Sequence, residues 1–335
     1  MIKEAIDKLS RREDLTKDQT RSVFHEIMEG RAGHNDMKSF LTSLADKGET
    51  VDEVTQAALV MRDKMTKIKL TFDTLLDTCG TGGGASSFNV STVVALIAAA
   101  SGVKVAKHGN RSYTSHCGSA DLLEHLGVKI DIAPDKTAEC IKEIGIGFLF
   151  APLYHSAMKN VAGVRREIKR RTIFNILGPL SNPAGATVQL IGTFEESLTE
   201  LLARVLNNLG LKRAFVVHGT DGFDEISISD ETLVSEVKDS SVSTYKIRPE
   251  DFGIIKSKKI EVACKDLDDN INTVNSILNA KKSSKREMAL VNTSLALVAA
   301  GRARSFKDGV KIAAESIDSG GAKDTLEKLV RFTNG

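Results

Sequence analysis

The apolar positions in the first part of the chain follow a helical pattern. Val54, Ala57 and Met61 recur three and four residues apart, and runs of β-branched residues are lacking in this part of the chain. Such spacing places apolar side chains on one face of a helix. We therefore predict a small domain of helices only over residues 1–70, with Asp52 as the cap of the helix that carries these three residues.

From Thr74 onward, short apolar runs alternate with amphipathic stretches. The clearest amphipathic stripe, with Leu198, Leu202 and Val205, predicts a helix. Alternation of strands and helices favours a largely parallel sheet covered by helices. The runs predicted to be buried strands are TLLDTCG, VKVAKHG, IGFLFAP, ATVQLIGTF and RAFVVHG.

The pattern changes again between Ile226 and Ile247, where EISIS, TLVSEV and VSTYKI predict a β-meander. Helical spacing then returns in the C-terminal third, and helices near 158–185 are expected to pack against the N-terminal ones. The predicted fold class is α/β: a small helical domain, joined by those helices, and a large domain over residues 71–335. The large domain has a central, mostly parallel sheet flanked by helices.

Composition narrows the class of protein. The 335 residues are 41% hydrophobic and 27% charged, which is typical of a globular chain, and a net charge of +2 gives no basic field that would favour a nucleic-acid partner. Four cysteines without a CxxC spacing fit a reduced compartment. The charged N-terminus lacks a signal-peptide core, and the longest apolar run is too short for a membrane span. We expect a cytoplasmic protein with no membrane partner.

A glycine-rich loop follows the first predicted strand and precedes a helix that begins near Asn89. Residues 80–84 read GTGGG, so the backbone can approach a ligand and direct its N–H groups towards phosphate oxygens. The helix N-terminus favours an anion there, and Ser87, Ser91 and Thr92 add hydroxyls. The loop has neither the Walker spacing nor a strict GxGxxG. An ordinary βα turn would look the same, so the loop alone leaves both interpretations open.

A second polar loop, KHGNR at residues 107–111, follows the next predicted strand. Because ends of neighbouring parallel strands lie along one edge of the sheet, Lys107 and Arg111 are expected to approach the glycine loop. Ser115 and Ser119 are further candidate hydroxyls for a phosphate. Taken alone, this segment is a solvated basic turn, and a lone histidine such as His108 is more often structural than catalytic.

Asp224 and Glu225 are adjacent carboxylates just after a predicted strand. On a loop, both can face the same hard cation, and magnesium usually takes few protein ligands and leaves room for water and phosphate. The alternative is an exposed acidic turn, which is common. Next to a phosphate-binding loop, the pair favours a magnesium site.

Six segments in this order resemble the motif set of the anthranilate phosphoribosyltransferases, over about residues 76–225. The resemblance implies a helical domain hinged to an α/β domain, a homodimer, and magnesium, in two ions. It also implies transfer of the phosphoribosyl group of 5-phosphoribosyl 1-diphosphate to the amine of anthranilate in tryptophan biosynthesis. The segments are GTGG, NVST, KHGNR, GSADLLEHLG, VRREIKRRTIFNILGPLSNPA and HGTDGFDE.

The resemblance also implies roles for individual residues. Magnesium would be bound by Ser91, Asp224 and Glu225, and anthranilate by Gly80, Asn110 and Arg165. No residue is assigned as general base, and His108 is the nearest candidate. The phosphoribosyl donor would be bound by Gly80, Gly83, Ser87, Asn89, Val90, Ser91, Thr92, Lys107, His108, Gly109, Asn110, Arg111, Ser115 and Ser119.

The chain departs from the family pattern in the glycine loop, and two rival functions share the architecture. An Asp that commonly follows GTGG in the family is missing here, so we expect an altered dependence on magnesium. A pyrimidine nucleoside phosphorylase would use free phosphate, but its Lys–Ser–Arg motifs are not apparent. A nucleic-acid-binding relative without transferase activity should show a strong basic groove, which the balanced charge disfavours.

Overall fold

The structure is a computed structural model, and it describes residues 1–85, 87–111 and 117–335. The chain begins with four helices, and the prediction that this part contains helices only is confirmed. Their bounds are α1 Ile2–Ser10, α2 Lys17–Met28, α3 His34–Lys47 and α4 Val51–Lys64.

The cap of α4 is Thr50, so the prediction of Asp52 is wrong. Thr50 Oγ1 accepts a hydrogen bond from the backbone N–H of Glu53, and the Glu53 carboxylate accepts one from the backbone N–H of Thr50. This reciprocal capping box satisfies two N–H groups at once, which a carboxylate at Asp52 would not do. Asp52 lies in the first turn of the helix, where its negative charge suits the helix dipole.

A seven-stranded sheet forms the centre of the rest of the chain, with strand order β3-β2-β1-β4-β5-β6-β7. The first five strands are parallel and the last two pair antiparallel. The predicted mostly parallel sheet is therefore confirmed. The strands are β1 Leu76–Gly80, β2 Val105–Gly109, β3 Ile146–Phe150, β4 Val188–Gly192, β5 Arg213–Gly219, β6 Thr232–Lys238 and β7 Ser241–Ile247.

Eleven further α-helices lie in the described part of the chain after β1. Among them, α5 is almost wholly apolar and buried, because the sheet covers one side and α13 and α15 cover the other. The helices are α5 Val90–Ala100, α6 Ser119–His125, α7 Pro134–Ile144, α8 Ala151–Tyr154, α9 Lys159–Ile168, α10 Phe174–Leu177, α11 Leu198–Asn208, α12 Leu267–Leu278, α13 Ser284–Ala299, α14 Phe306–Asp318 and α15 Gly321–Asn334. Within the described ranges, none of the helices has both the length and the apolar character needed to cross a bilayer.

The prediction of one strand of the β-meander is wrong. TLVSEV and VSTYKI form β6 and β7, but EISIS is irregular. Side chains satisfy its backbone instead of a neighbouring strand: Asn292 both accepts from the N–H of Ile226 and donates to its carbonyl, and Thr232 Oγ1 accepts from the N–H of Ser227. The backbone polar groups of Ile226 and the N–H of Ser227 are thus satisfied without a neighbouring strand.

The segment around α9 packs against the N-terminal helices. Val161 and Val164 belong to the same apolar core as α1 to α4, and Asn160 Nδ2 donates to the carbonyl oxygen of Met28 at 2.9 Å. The same core includes α11 and the face of β5 that carries Ala214 and Val216. At the carboxyl ends of the strands, residues from the loops after β1, β2 and β5 lie around one cleft together with residues of α9 and α10.

Candidate active site

A cleft of about 690 Å³ opens where these loops meet. Of the predicted residues that the structure describes, only Thr92 does not line it; Thr92 is buried in α5. Ser115 lies outside the described residues. The predicted residues that line the cleft are Gly80, Gly83, Ser87, Asn89, Val90, Ser91, Lys107, His108, Gly109, Asn110, Arg111, Ser119, Arg165, Asp224 and Glu225.

The glycine loop lies directly against the acidic segment that follows β5. The N–H of Ala85 donates to the carbonyl of Gly222 at 2.8 Å, which ties the two segments together. A Cβ on Gly84 would stand 2.6 Å from Oδ1 of Asp224, and one on Gly192 would overlap the carbonyl oxygen of Asp224. Glycine is therefore needed at both positions for the close approach of the two backbone segments.

The start of α5 brings a helix N-terminus to the cleft. Asn89 is fixed from two sides, because its N–H donates to Asn270 Oδ1 at 3.1 Å and its Nδ2 donates to the carbonyl of Cys117 at 3.3 Å. Thr78 Oγ1 donates to the carbonyl of Ser91, which joins the helix to β1. Partial positive charge at this helix end favours an anionic ligand.

Lys107 is buried at the end of β2, with only 2% of its surface exposed. Its Nζ donates to the carbonyl of Thr78 at 2.6 Å and to Ser91 Oγ at 3.2 Å. Burial lowers the pKa of Lys107, while the buried carboxylate of Asp77 opposes this effect. Asp77 itself accepts from the N–H of His108, so it supports the loop from behind. A cation held in such a low-dielectric place interacts strongly with phosphate.

His108 faces His155, with 3.2 Å between their Nε2 atoms. Burial lowers the pKa of His108 to about 3, helped by the nearby His155 and Lys107, and burial lowers the pKa of His155 to about 4. Both rings are therefore neutral at pH 7. A group with so low a pKa is a weak base, so the burial of His108 disfavours it as the general base.

Arg111 lies at the rim of the cleft, where it forms ion pairs with two carboxylates. Its guanidinium pairs with Glu124 at 2.8 Å and with Asp121 at 3.0 Å, and its carbon lies 5.7 Å from the centre of the Phe150 ring. About half of the Arg111 side chain is exposed. These surface pairs are weak and can be exchanged for a phosphate.

Asp224 and Glu225 form a buried acidic pair. Glu225 Oε1 accepts from Ser87 Oγ at 3.0 Å, whereas its Oε2 is buried with no hydrogen-bond partner among the described residues. Burial raises the pKa of Asp224, and burial together with the neighbouring Asp224 carboxylate raises the pKa of Glu225 well above its usual value. The positive charges of His218 and Arg171 oppose the rise in the pKa of Asp224, but burial outweighs them.

These features fit a magnesium ion. In the described ranges there is no group of three or more His, Cys, Asp and Glu side chains that could hold a metal. Magnesium, however, is usually bound through one or two carboxylates together with water and substrate phosphate. The free oxygen of Glu225 is a suitable ligand atom. Ser91, the third predicted ligand, lines the same cleft, where its hydroxyl accepts from Lys107.

The structure shows which of two neighbouring arginines lies in the cleft, a choice that the sequence alone did not allow. Arg165, in the last turn of α9, lines the cleft with its guanidinium carbon 5.8 Å from the centre of the Phe174 ring. The next residue, Arg166, is exposed, its Nε donates to the carbonyl of Ala162, and it is not among the described residues of the cleft wall.

Several residues of the cleft were missed by the sequence analysis. Asn292 interrupts the apolar run MALVNTSLALVAA, and that pattern was the available signal for its buried polar role. Asn270 is buried as well, but it stands in the polar stretch DDNIN, which gave no such signal. Arg171 and Lys265 stand in charged stretches where nothing singled them out.

Comparison with known proteins identifies the family of the chain. The sequence models described as the glycosyl transferase family, helical bundle domain, and the glycosyl transferase family, a/b domain, match residues 3–65 and 73–323. The chain is 50% identical to the anthranilate phosphoribosyltransferase of Geotalea uraniireducens, with 100% of each chain covered. It belongs to the anthranilate phosphoribosyltransferase family. The resemblance of the six motifs is thus confirmed.

Solved structures in the anthranilate phosphoribosyltransferase family have the same fold. The enzyme from Thermus thermophilus is 37% identical, with a TM-score of 0.93 and 99% of each chain covered. The enzyme from Saccharomyces cerevisiae, in complex with PRPP and Mg, is 25% identical, with a TM-score of 0.89 over 99% of this chain and 98% of that one. The predicted combination of a helical domain with a mostly parallel α/β domain is confirmed.

Proposed function

We propose that the chain transfers the phosphoribosyl group of 5-phosphoribosyl 1-diphosphate to the amine of anthranilate. The products are N-(5-phosphoribosyl)anthranilate and diphosphate, in tryptophan biosynthesis. The observation that carries the proposal is the meeting of the glycine loop, the buried cation of Lys107, the acidic pair and Arg165 in one cleft. Membership of the family supports the choice of substrates.

The donor is proposed to bind along the ends of β1 and β2. Backbone N–H groups of the glycine loop and the start of α5 would hold phosphate oxygens, together with the Lys107 ammonium. Thr92 is left out of the proposed donor site, because it is buried in α5 and does not line the cleft. The proposed site is Gly80, Gly83, Ser87, Asn89, Val90, Ser91, Lys107, His108, Gly109, Asn110, Arg111, Ser115 and Ser119.

Magnesium is the proposed metal, in two ions, with Ser91, Asp224 and Glu225 as protein ligands. When bound, it would neutralise charge on the diphosphate. The buried Oε2 of Glu225 supports this assignment. The missing Asp after Gly83 leaves Asp224 and Glu225 as the proposed acidic ligands, and the altered magnesium dependence stays a prediction.

The protein's contribution to the reaction is proposed to be electrostatic and positional. As the bond from ribose C1 to the diphosphate breaks, negative charge grows on the leaving group, and Lys107 and loop N–H groups stabilise it. Arg165 would pair with the anthranilate carboxylate, with Gly80 and Asn110 alongside, and hold the amine in line for attack. No general base is assigned, because an aromatic amine readily loses its proton after the new bond forms.

We further propose the division into residues 1–70 and 71–335, assembly as a homodimer and a cytoplasmic location. The packing of α9 against α2, through Asn160 and Met28, supports a helical unit that includes residues beyond 158. The near-balanced charge supports small-molecule substrates without a nucleic-acid partner.

The deciding experiment follows the fluorescence of anthranilate. Purified protein, magnesium and 5-phosphoribosyl 1-diphosphate should quench it, and mass spectrometry should find the phosphoribosylated product. Omission of the donor provides the control. Folded protein that leaves the fluorescence unchanged would overturn the proposal.

A further inference from the structure

Two consecutive arginines between α9 and α10 reach in different directions. Arg170 pairs with Asp46 of α3 at 2.8 Å and donates to the carbonyl of Thr42 at 2.7 Å. Arg171 instead reaches the glycine loop, where its Nη2 donates to the carbonyl of Gly83 at 3.0 Å. This short segment therefore contacts both the N-terminal helices and the wall of the cleft.

The guanidinium of Arg171 is held in a defined position. Its central carbon lies 3.4 Å from the centre of the Phe194 ring, which is a close cation–π contact. A Cβ on Gly83 would overlap Nη2 of Arg171, so glycine at this position makes room for the arginine. Arg171 is thus fitted between Phe194 on one side and the glycine loop on the other.

Phe194 is itself attached to the same loop. Its N–H donates to Thr81 Oγ1 at 3.1 Å, and the N–H of Thr81 donates to the carbonyl of Gly192 at 2.9 Å. Phe194 is not one of the described residues that line the cleft. Arg171 therefore stacks on a ring that is fixed to the start of the loop and is not part of the described cleft wall.

The loop needs an external support. Gly82 and Gly83 have φ angles of +69° and +88°, and glycine reaches many other conformations at little cost. In a trans peptide the carbonyl and the next N–H point in opposite directions. A hydrogen bond to the carbonyl of Gly83 therefore fixes the direction of the N–H of Gly84 as well.

We infer that Arg171 is a positioning residue, which holds the glycine loop in the conformation that binds the phosphoribosyl donor. It acts through the carbonyl of Gly83 and its stacking on Phe194. The inference rests on the proposed function, because it names the donor as the ligand of the loop. The competing possibility is that Arg171 contacts a donor phosphate directly.

The test compares Arg171→Ala, Arg171→Lys and Phe194→Leu, with Arg166→Ala as the matched control on the same segment. Turnover by the wild-type protein first establishes the function. Steady-state kinetics then give KM for donor and for anthranilate, calorimetry gives the donor Kd with magnesium and without anthranilate, and thermal unfolding checks the fold.

Arg171→Ala should raise the donor KM and Kd about tenfold, and Phe194→Leu about threefold, with the KM for anthranilate nearly unchanged. Arg171→Lys should not restore the wild-type values, since lysine lacks the planar group that stacks and directs the bond. Arg166→Ala should match the wild type.

Two results would overturn the inference. The first is an unchanged donor KM in folded Arg171→Ala. The second is a normal donor KM in Phe194→Leu together with full recovery in Arg171→Lys, which would make the charge a direct phosphate ligand. If Arg171→Ala does not fold, the Phe194→Leu and Arg171→Lys results decide the question. Wild-type protein that binds the donor without transferring it would count against the proposed function alone.

Discussion

Gly84 lies so close to Asp224 that a Cβ on the glycine would stand 2.6 Å from Oδ1 and 2.8 Å from the backbone nitrogen of the aspartate. Gly84→Ala should therefore displace the carboxylate and lower kcat/KM by about tenfold or more. Steady-state kinetics at saturating magnesium provide the measurement. A normal kcat/KM would mean that the position of Asp224 is not important for turnover.

Gly163→Ala is the control for this substitution. Gly163 lies in α9 with no heavy atom within 4 Å of the added Cβ. Alanine is the better helix former by about 1 kcal/mol, so thermal unfolding should show a modest gain in stability. Its kcat/KM should equal that of the wild type.

Arg165 is expected to act on one substrate only. Arg165→Ala should raise the KM for anthranilate by about tenfold or more and change the KM for the donor much less, because the guanidinium is proposed to pair with the anthranilate carboxylate. Arg166→Ala, on the exposed side of the same turn, should change neither. Equal increases in both KM values would remove Arg165 from the anthranilate site.

Much of the fold could be predicted because the local pattern and the tertiary structure agree. The apolar runs of β1 to β5 are strands of a parallel sheet. Because helices cover both faces of such a sheet, its strands are recognisable in the sequence as short, nearly continuous apolar runs. EISIS was mistaken for a strand because alternation alone does not show which partner satisfies the backbone. Asn292, 66 residues away along the chain, is that partner for Ile226.

The residues that line the cleft could be predicted where the candidate side chains are neighbours in one loop. They could not be predicted where packing between distant segments determines which side chain faces the cleft. The glycine loop and the acidic pair have the right residue types next to each other in sequence. Arg165, Arg166, Arg170 and Arg171 share a charged stretch, and only the surrounding structure directs two of them into the cleft. Propensity and charge are nearly the same for all four, so the sequence held no physical basis for choosing Arg171.

The acidic pair should control the metal-dependent rate. In the double variant Asp224→Asn with Glu225→Gln, amides keep the shape but supply no negative charge for a cation. Turnover measured against magnesium concentration should lose most of its metal-dependent part. Full activity at every magnesium concentration would exclude these residues as metal ligands.

Glu225 should also make the metal-free protein less stable as pH rises. Its folded pKa lies well above the ordinary value of 4.5, so the folded state binds more protons than the unfolded state above that pH, and stability falls until the folded pKa is passed. In a chelator, the difference in Tm between Glu225→Gln and wild type should grow with pH in favour of the variant. Magnesium should reduce the difference, and a difference independent of pH would contradict the burial of an uncompensated carboxylate.

The His108–His155 pair should act in the opposite sense at lower pH. The folded pKa of His155 is about 4 against an ordinary value of 6.5, so the unfolded state binds more protons between these values and stability is lost as pH falls from 6.5 to 4. The loss from His155 alone is on the order of 3 kcal/mol. His155→Gln cannot become charged, so its Tm, measured from pH 7 downward, should fall less steeply than that of the wild type. Equal slopes would show that burial does not hold His155 neutral.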